Sequence, residues 1–159
     1  MAQHWYAFSA TDDGVALLVD AVLRATRPHA LLAEARAKDG LDPAAPADVV
    51  EAWTALTRRR HRGFEAVGSW LRRLAHLEVP VRVAHGDLEG WEQLAACAPW
   101  VDTVDVLKPG QLPIARIHDG GRTAVLTLPD AEGQQLAVEV AQAASVEQLP
   151  EPRPWYRWN

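Results

Sequence analysis

The stretch Val79-Pro-Val-Arg-Val-Ala-His-Gly-Asp87 is where the chain changes character. Before it, apolar residues recur every three or four positions. From Val79 onward they recur every two. Val79, Val81 and Val83 share one face, the pattern of a half-buried strand that ends at His85-Gly86-Asp87. Residues 88–98 return to the helical period, with Leu88, Trp91, Leu94 and Ala95 inward and Pro99 as the stop. Val101 to Leu107 then alternates apolar residues with Asp102 and Asp105. A strand–helix–strand unit this short predicts a parallel, right-handed crossover.

Downstream, Ile114 to His118 and Arg122 to Leu128 flank Asp119-Gly120-Gly121, whose Asp-Gly and Gly-Gly pairs are hairpin signals. Pro129 to Gly133 reads as a second turn. Leu136, Val138 and Val140 then alternate with Ala137 and Glu139 as a last strand. These three segments predict an antiparallel meander. The acids alternating along 101–107 and 136–140 predict a wet second face for the sheet.

Upstream, residues 3–9 are short and aromatic and read as a first strand. Thr11-Asp12-Asp13 supplies a capping hydroxyl and two acids for a helix over about 13–26. Pro28 opens a second short helix, with Leu31, Leu32 and Ala35 inward and Gly40 as its stop. After Asp42-Pro-Ala-Ala-Pro46 comes the longest helix, roughly 47–77. Its stripe of Val49, Val50, Trp53, Leu56, Phe64, Val67, Leu71 and Leu74 is broken by Thr57, Arg60 and His61. The whole predicts one α+β domain over 1–149, with a helical part at about 12–77 and a sheet-rich part at about 79–141. The sheet is expected to be mixed or mainly antiparallel, with five to six strands and helices over one face. Residues 150–159 form a Pro/Trp-rich tail.

The chain's 159 residues suffice for one domain. At 17.5 kDa a folded chain buries about 69% of its unfolded surface, so the core needs no disulfide or metal. Hydrophobic content of 48% excludes wholesale disorder. No apolar run reaches membrane-spanning length, and the first ten residues show no secretory pattern. A cytoplasmic location is therefore expected. Arg outnumbers Lys fourteen to two, which suggests a GC-rich bacterial genome.

The net charge of −5 argues against a nucleic-acid binder. Yet the charge is uneven: residues 58–73 carry six Arg against one Glu. Arg58, Arg59 and Arg62 are the candidate partner-binding cations, although a solvated helix face explains them equally simply. In the tail, Trp155, Tyr156 and Trp158 are the aromatic candidates. Trp, Tyr and Arg dominate interface hot spots, but these rings could equally fold back on their own chain.

For catalysis, His85-Gly86-Asp87-Leu88 stands at a strand end before a helix, where α/β sites collect. The tetrad resembles the catalytic-loop opening of aminoglycoside-phosphotransferase-like kinases. The resemblance covers four residues. Gln93 follows where that loop continues to a metal-binding Asn, and no glycine-rich nucleotide loop precedes it. The simpler expectation is a turn with Asp87 capping the next helix. No His pair has metal-ligand spacing, and Cys97 near a helix C-terminus is expected to be an inert thiol. No metal and no cofactor are expected.

The function expected is a non-catalytic bacterial binding protein acting on a protein partner, such as a small acidic inhibitor or immunity-type protein. The alternatives are a small enzyme using His85 and Asp87 as an acid–base pair, and a subunit of a larger complex. Homodimerisation stays open.

Overall fold

A computed structural model describes residues 3–64, 80–110 and 112–149. The element order is β1 (Gln3–Ala10), α1 (Val15–Thr26), β2 (Leu32–Arg36), α2 (Ala47–Phe64), β3 (Val81–Ala84), α3 (Leu88–Cys97), β4 (Thr103–Lys108), β5 (Leu112–His118), β6 (Thr123–Pro129), α4 (Asp130–Glu139) and β7 (Ala144–Leu149). The class is α+β. One sheet holds seven strands in the order β3-β2-β4-β5-β6-β1-β7, and every neighbouring pair is antiparallel. The sheet thus exceeds the expected five to six strands.

Two segments change type. Residues 32–36, Leu-Ala-Glu-Ala-Arg, are helix formers by propensity, yet they form β2 rather than a second helix. β2 lies between β3 and β4, with Ala33 and Ala35 fully buried. Two ladders and burial on the helix-covered face outweigh a preference worth a few tenths of a kcal/mol per residue. In the other direction, residues 136–140 belong to α4 and its end, not to a strand. The inward residues there are Gly133, Leu136 and Val140, spaced by three and four, while Val138 points out at 78% exposed. Leu136, Val138 and Val140 alternate in sequence only because one outward valine falls between two buried positions. The seventh strand, β7, had no place in the expected order.

The β3–α3–β4 unit also departs from expectation. β3 and β4 run parallel to one another, but they are not neighbours, because β2 lies between and pairs antiparallel with each. The β5–β6 hairpin forms as expected. Its turn carries positive φ at Asp119 (56°), Gly120 (61°) and Gly121 (79°). Gly121 is needed twice over, since a Cβ there would meet methyls of Val15 and Val19 at 2.9 Å. Pro113 cannot donate to a ladder; it sits opposite Leu107, where the register shifts.

One face of the sheet makes the core. Val83, Ala33, Val106, Ala115, Leu126 and Tyr6 face each other across successive strands. α1 and α3 contribute Leu18, Val22, Trp91 and Leu94 to the same cluster. α2 packs outside, against α3 and β3, through Val49 and Leu56. α4 closes on β1, where Gly133 lies against the Tyr6 ring. The helices therefore cover one face, as the sequence implied. The expected continuation of the long helix to 77, and the tail at 150–159 with Trp155, Tyr156 and Trp158, lie outside the described residues. No helix among the described residues is long and apolar enough to cross a membrane.

The second face is not simply wet. A row runs across all seven strands: Arg82, Glu34, Asp105, Arg116, Val125, Ala7, Glu147. Glu34 and Asp105 are buried, and each is clamped by arginine. Arg116 grips Asp105 with Nε to Oδ1 at 2.7 Å and Nη2 to Oδ2 at 3.1 Å. Arg82 Nε donates to Glu34 Oε1 at 2.7 Å, and Arg36 lies 3.4 Å from its other oxygen. Of the two acids expected to alternate there, Asp105 falls on this face while Asp102 precedes β4, and ion pairing allows Asp105 to be buried rather than wet.

Candidate functional site

Asp87 occupies the position expected of it, the N-cap of α3, and its Oδ1 accepts from the Gly90 N–H at 3.0 Å. It is also bound to Arg59 of α2. The Arg59 Nη1 lies 3.0 and 2.8 Å from the two carboxylate oxygens, and Nη2 reaches Glu89 at 2.8 Å. One guanidinium therefore ties α2 to the first turn of α3. Burial pulls the Arg59 pKa down, but its bonds to Asp87 and Glu89 outweigh this and hold it above the ordinary value. Gly90 makes the arrangement sterically possible, because a Cβ there would lie 2.4 Å from the Asp87 carboxylate.

His85 faces a different neighbour. Its backbone N–H donates to Leu31 O, and its Nδ1 lies 3.1 Å from the Arg27 carbonyl oxygen. A carbonyl only accepts, so the proton belongs on Nδ1 and the Nε2 edge faces outward. The two candidate catalytic residues thus have separate partners: Asp87 binds Arg59 and Gly90, and His85 binds the end of α1. His118 stands at the opposite end of the sheet, paired across from Thr103, with burial lowering its pKa. Cys97 is buried, its Sγ 3.7 Å from Val49 O, and burial pushes its pKa up to about 11. Among the described residues no three His, Cys, Asp or Glu converge on a metal position.

Of the candidate cations, Arg59 is engaged within its own chain and Arg58 is exposed on α2. Arg62 lies in the last turns of α2.

Two surfaces escaped the sequence. A cleft of about 320 Å³ is lined by Arg24, Arg27, Pro28 and His85. The Arg27 guanidinium sits over the Trp91 ring, 6.0 Å from its centroid. Trp91 is itself pinned by Nε1–H to Ala84 O at 2.9 Å. Only the Pro28 helix stop hinted that the chain turns here. The second surface surrounds the end of α4. Val138 is 78% exposed, and Val146 on β7 and Leu17 on α1 are each 44% exposed. Leu17 and Arg24 lie seven residues apart on one stripe of α1, and Arg24 is bonded to Glu139, next to Val138. Val146 stands opposite Phe8 on the helix-covered face of the edge strand. The misassigned strand at 136–140 hid this patch, since a strand would have turned Val138 inward beside Leu136 and Val140.

The fold and its surfaces define an α+β protein whose single antiparallel sheet is covered by helices on one face and crossed by arginine–carboxylate pairs on the other. Compared with family models, curated proteins and solved structures, the chain matches none.

Proposed function

We propose that this chain is a non-catalytic binding protein that engages a protein partner through the end of α4 and the open edge of β7. One concrete form is a small acidic inhibitor or immunity-type protein. The observation that carries the proposal is Val146, exposed on the edge strand, together with Val138, 78% exposed in the last turn of the helix that leads into it. Scattered exposed apolar residues are ordinary, whereas one on a strand edge that is open among the described residues suits a docking segment. Among the described residues β7 pairs only with β1, and Ser145, Val146, Glu147 and Gln148 are all exposed. Its outer backbone groups are available to an added strand, while the valines offer side-chain anchors.

The enzyme alternative would require Asp87 to leave Arg59 and the α3 cap, since it is held 2.8 Å from the guanidinium.

The test is affinity capture from the native host with the full chain and with Val138→Glu and Val146→Glu. A single partner retained by the parent chain and lost with both variants is expected. An Arg58→Glu control should keep it. Equal retention by all variants would move the interface elsewhere. Failure of any protein to copurify in stoichiometric amount would remove the binding proposal.

A further inference from the structure

The cleft between the end of α1 and the end of β3 adjoins the α4 surface only through Arg24, which also pairs with Asp20 and Glu139. We infer that it binds the phosphoryl group of a small phosphorylated molecule. Three donors line it from different elements: Arg24 on α1, Arg27 in the single turn that follows, and His85 after β3. Among the described residues Arg27 has no carboxylate within ion-pair distance, and its guanidinium is supported by the Trp91 ring beneath it. Arg24 meets Glu139 and Asp20 through Nη2 alone, which leaves Nε–H and Nη1 to point elsewhere. The bond from His85 Nδ1 to the Arg27 carbonyl fixes the imidazole with Nε2 on the open side. With Nδ1–H committed to that carbonyl, Nε2 donates to an oxyanion only in the imidazolium form, so the ring takes up a proton together with the anion.

A helix C-terminus ordinarily repels anions. Here some of the carbonyls at that end have donors of their own. Thr26 Oγ1 donates to Val22 O at 2.7 Å, the Arg27 N–H to Leu23 O, and both Ala30 N–H and His85 to Arg27 O. These bonds engage the Leu23 and Arg27 carbonyls, and the two guanidiniums supply the positive charge that opposes the negative helix end. Donors arriving from three elements suit a tetrahedral oxyanion better than a planar carboxylate, which one coplanar fork would satisfy. Pro28 gives the cleft an apolar wall, and its volume is at the lower end of the roughly 300–1,000 Å³ usual for small-ligand sites. A phosphoryl group with a few attached carbons fits within it.

The experiment is an NMR and calorimetric titration of the full chain at low ionic strength with inorganic phosphate, glycerol 3-phosphate and succinate. Saturable binding of glycerol 3-phosphate is expected, with the His85 ring and the Trp91 indole N–H shifting together. Tighter binding of the ester than of inorganic phosphate assigns the site to a phosphorylated metabolite; the reverse order assigns it to the free ion. Arg27→Gln should weaken binding about tenfold or more at unchanged melting temperature. Should Arg27→Gln misfold, Arg27→Lys and His85→Gln carry the test, each with a smaller loss. Equal affinity for succinate, or binding unaffected by all three variants, would overturn the inference. So would shifts that stay linear in probe concentration.

Discussion

At Asp87 one carboxylate caps a helix and holds a guanidinium, and the two roles can be separated. Asp87→Asn keeps an N-cap acceptor for Gly90 and loses the charge that binds Arg59. That pair is about one-third exposed on both sides, so the loss should stay under about 1 kcal/mol. Asp87→Ala loses both and should cost about 1–2 kcal/mol, read as a shift in urea midpoint at constant slope. Equal costs for the two substitutions would show that the cap contributes nothing. Cys97 makes a second residue-level prediction. Burial raises its folded-state pKa to about 11 from an ordinary value near 9. The folded state therefore keeps the proton longer than the unfolded state does. The stabilising contribution is complete below pH about 9 and is lost as pH rises toward about 11. Tyr6, whose pKa burial also raises, titrates in the alkaline range as well. Cys97→Ala isolates the thiol: its stability should fall less steeply over that window than the parent's, by urea unfolding at matched pH values. The thiol should also resist alkylation in the native state.

Among the elements, α4 is the one where helix propensity and packing oppose each other. Replacing a helical glycine by alanine ordinarily gains up to about 1 kcal/mol. At Gly133 a Cβ would lie 2.2 Å from Tyr6 Cε2 and 2.3 Å from Cζ, on a ring that is 3% exposed and hydrogen-bonded to Asp130 at 3.0 Å. The ring has no room to retreat, so Gly133→Ala should destabilise by about 1–3 kcal/mol. In a Tyr6→Val background the same substitution should be neutral or stabilising. A double-mutant cycle in thermal unfolding measures that reversal of sign. β2 shows the complementary case. Its helix-favouring residues follow their neighbours β3 and β4 because each strand residue gains a ladder on both sides.

Across the whole molecule, ion pairs on the sheet face and on the helix surface should differ in strength. Asp105 is 5% exposed and bidentate to Arg116, and Asp105→Ala should cost about 3 kcal/mol, because it removes a bidentate ion pair from a site where water screens it little. Asp20 and Arg24 on α1 are both about 60% exposed at 3.5 Å. Asp20→Ala should cost less than about 1 kcal/mol. In 1 M salt the Asp20 effect should vanish while most of the Asp105 effect persists, in chemical denaturation at both ionic strengths. Comparable costs at both positions would show that the sheet face is solvated despite its burial.

Local patterns settled much of this chain. Period-two alternation located β3 to β6, period 3.6 located α1, α3 and the start of α2, and Asp-Gly-Gly located the hairpin. The Asp87 cap was legible too, because a cap depends on residues three apart. These features all rest on interactions within about a dozen residues. What depended on distant partners was not legible. Leu32–Arg36 became a strand through residues 46 to 75 positions away. Val138 turned outward because Gly133, Leu136 and Val140 were the positions that met the core. The pairing of Arg59 with Asp87, and the meeting of Arg24, Arg27 and His85 at one cleft, likewise belong to no local period. Sequence determined the class and most element types because local sterics and periodicity are properties of the chain alone. The seventh strand, the buried ion pairs and both candidate surfaces were decided only by tertiary structure, because burial and pairing depend on what each side chain meets across the fold.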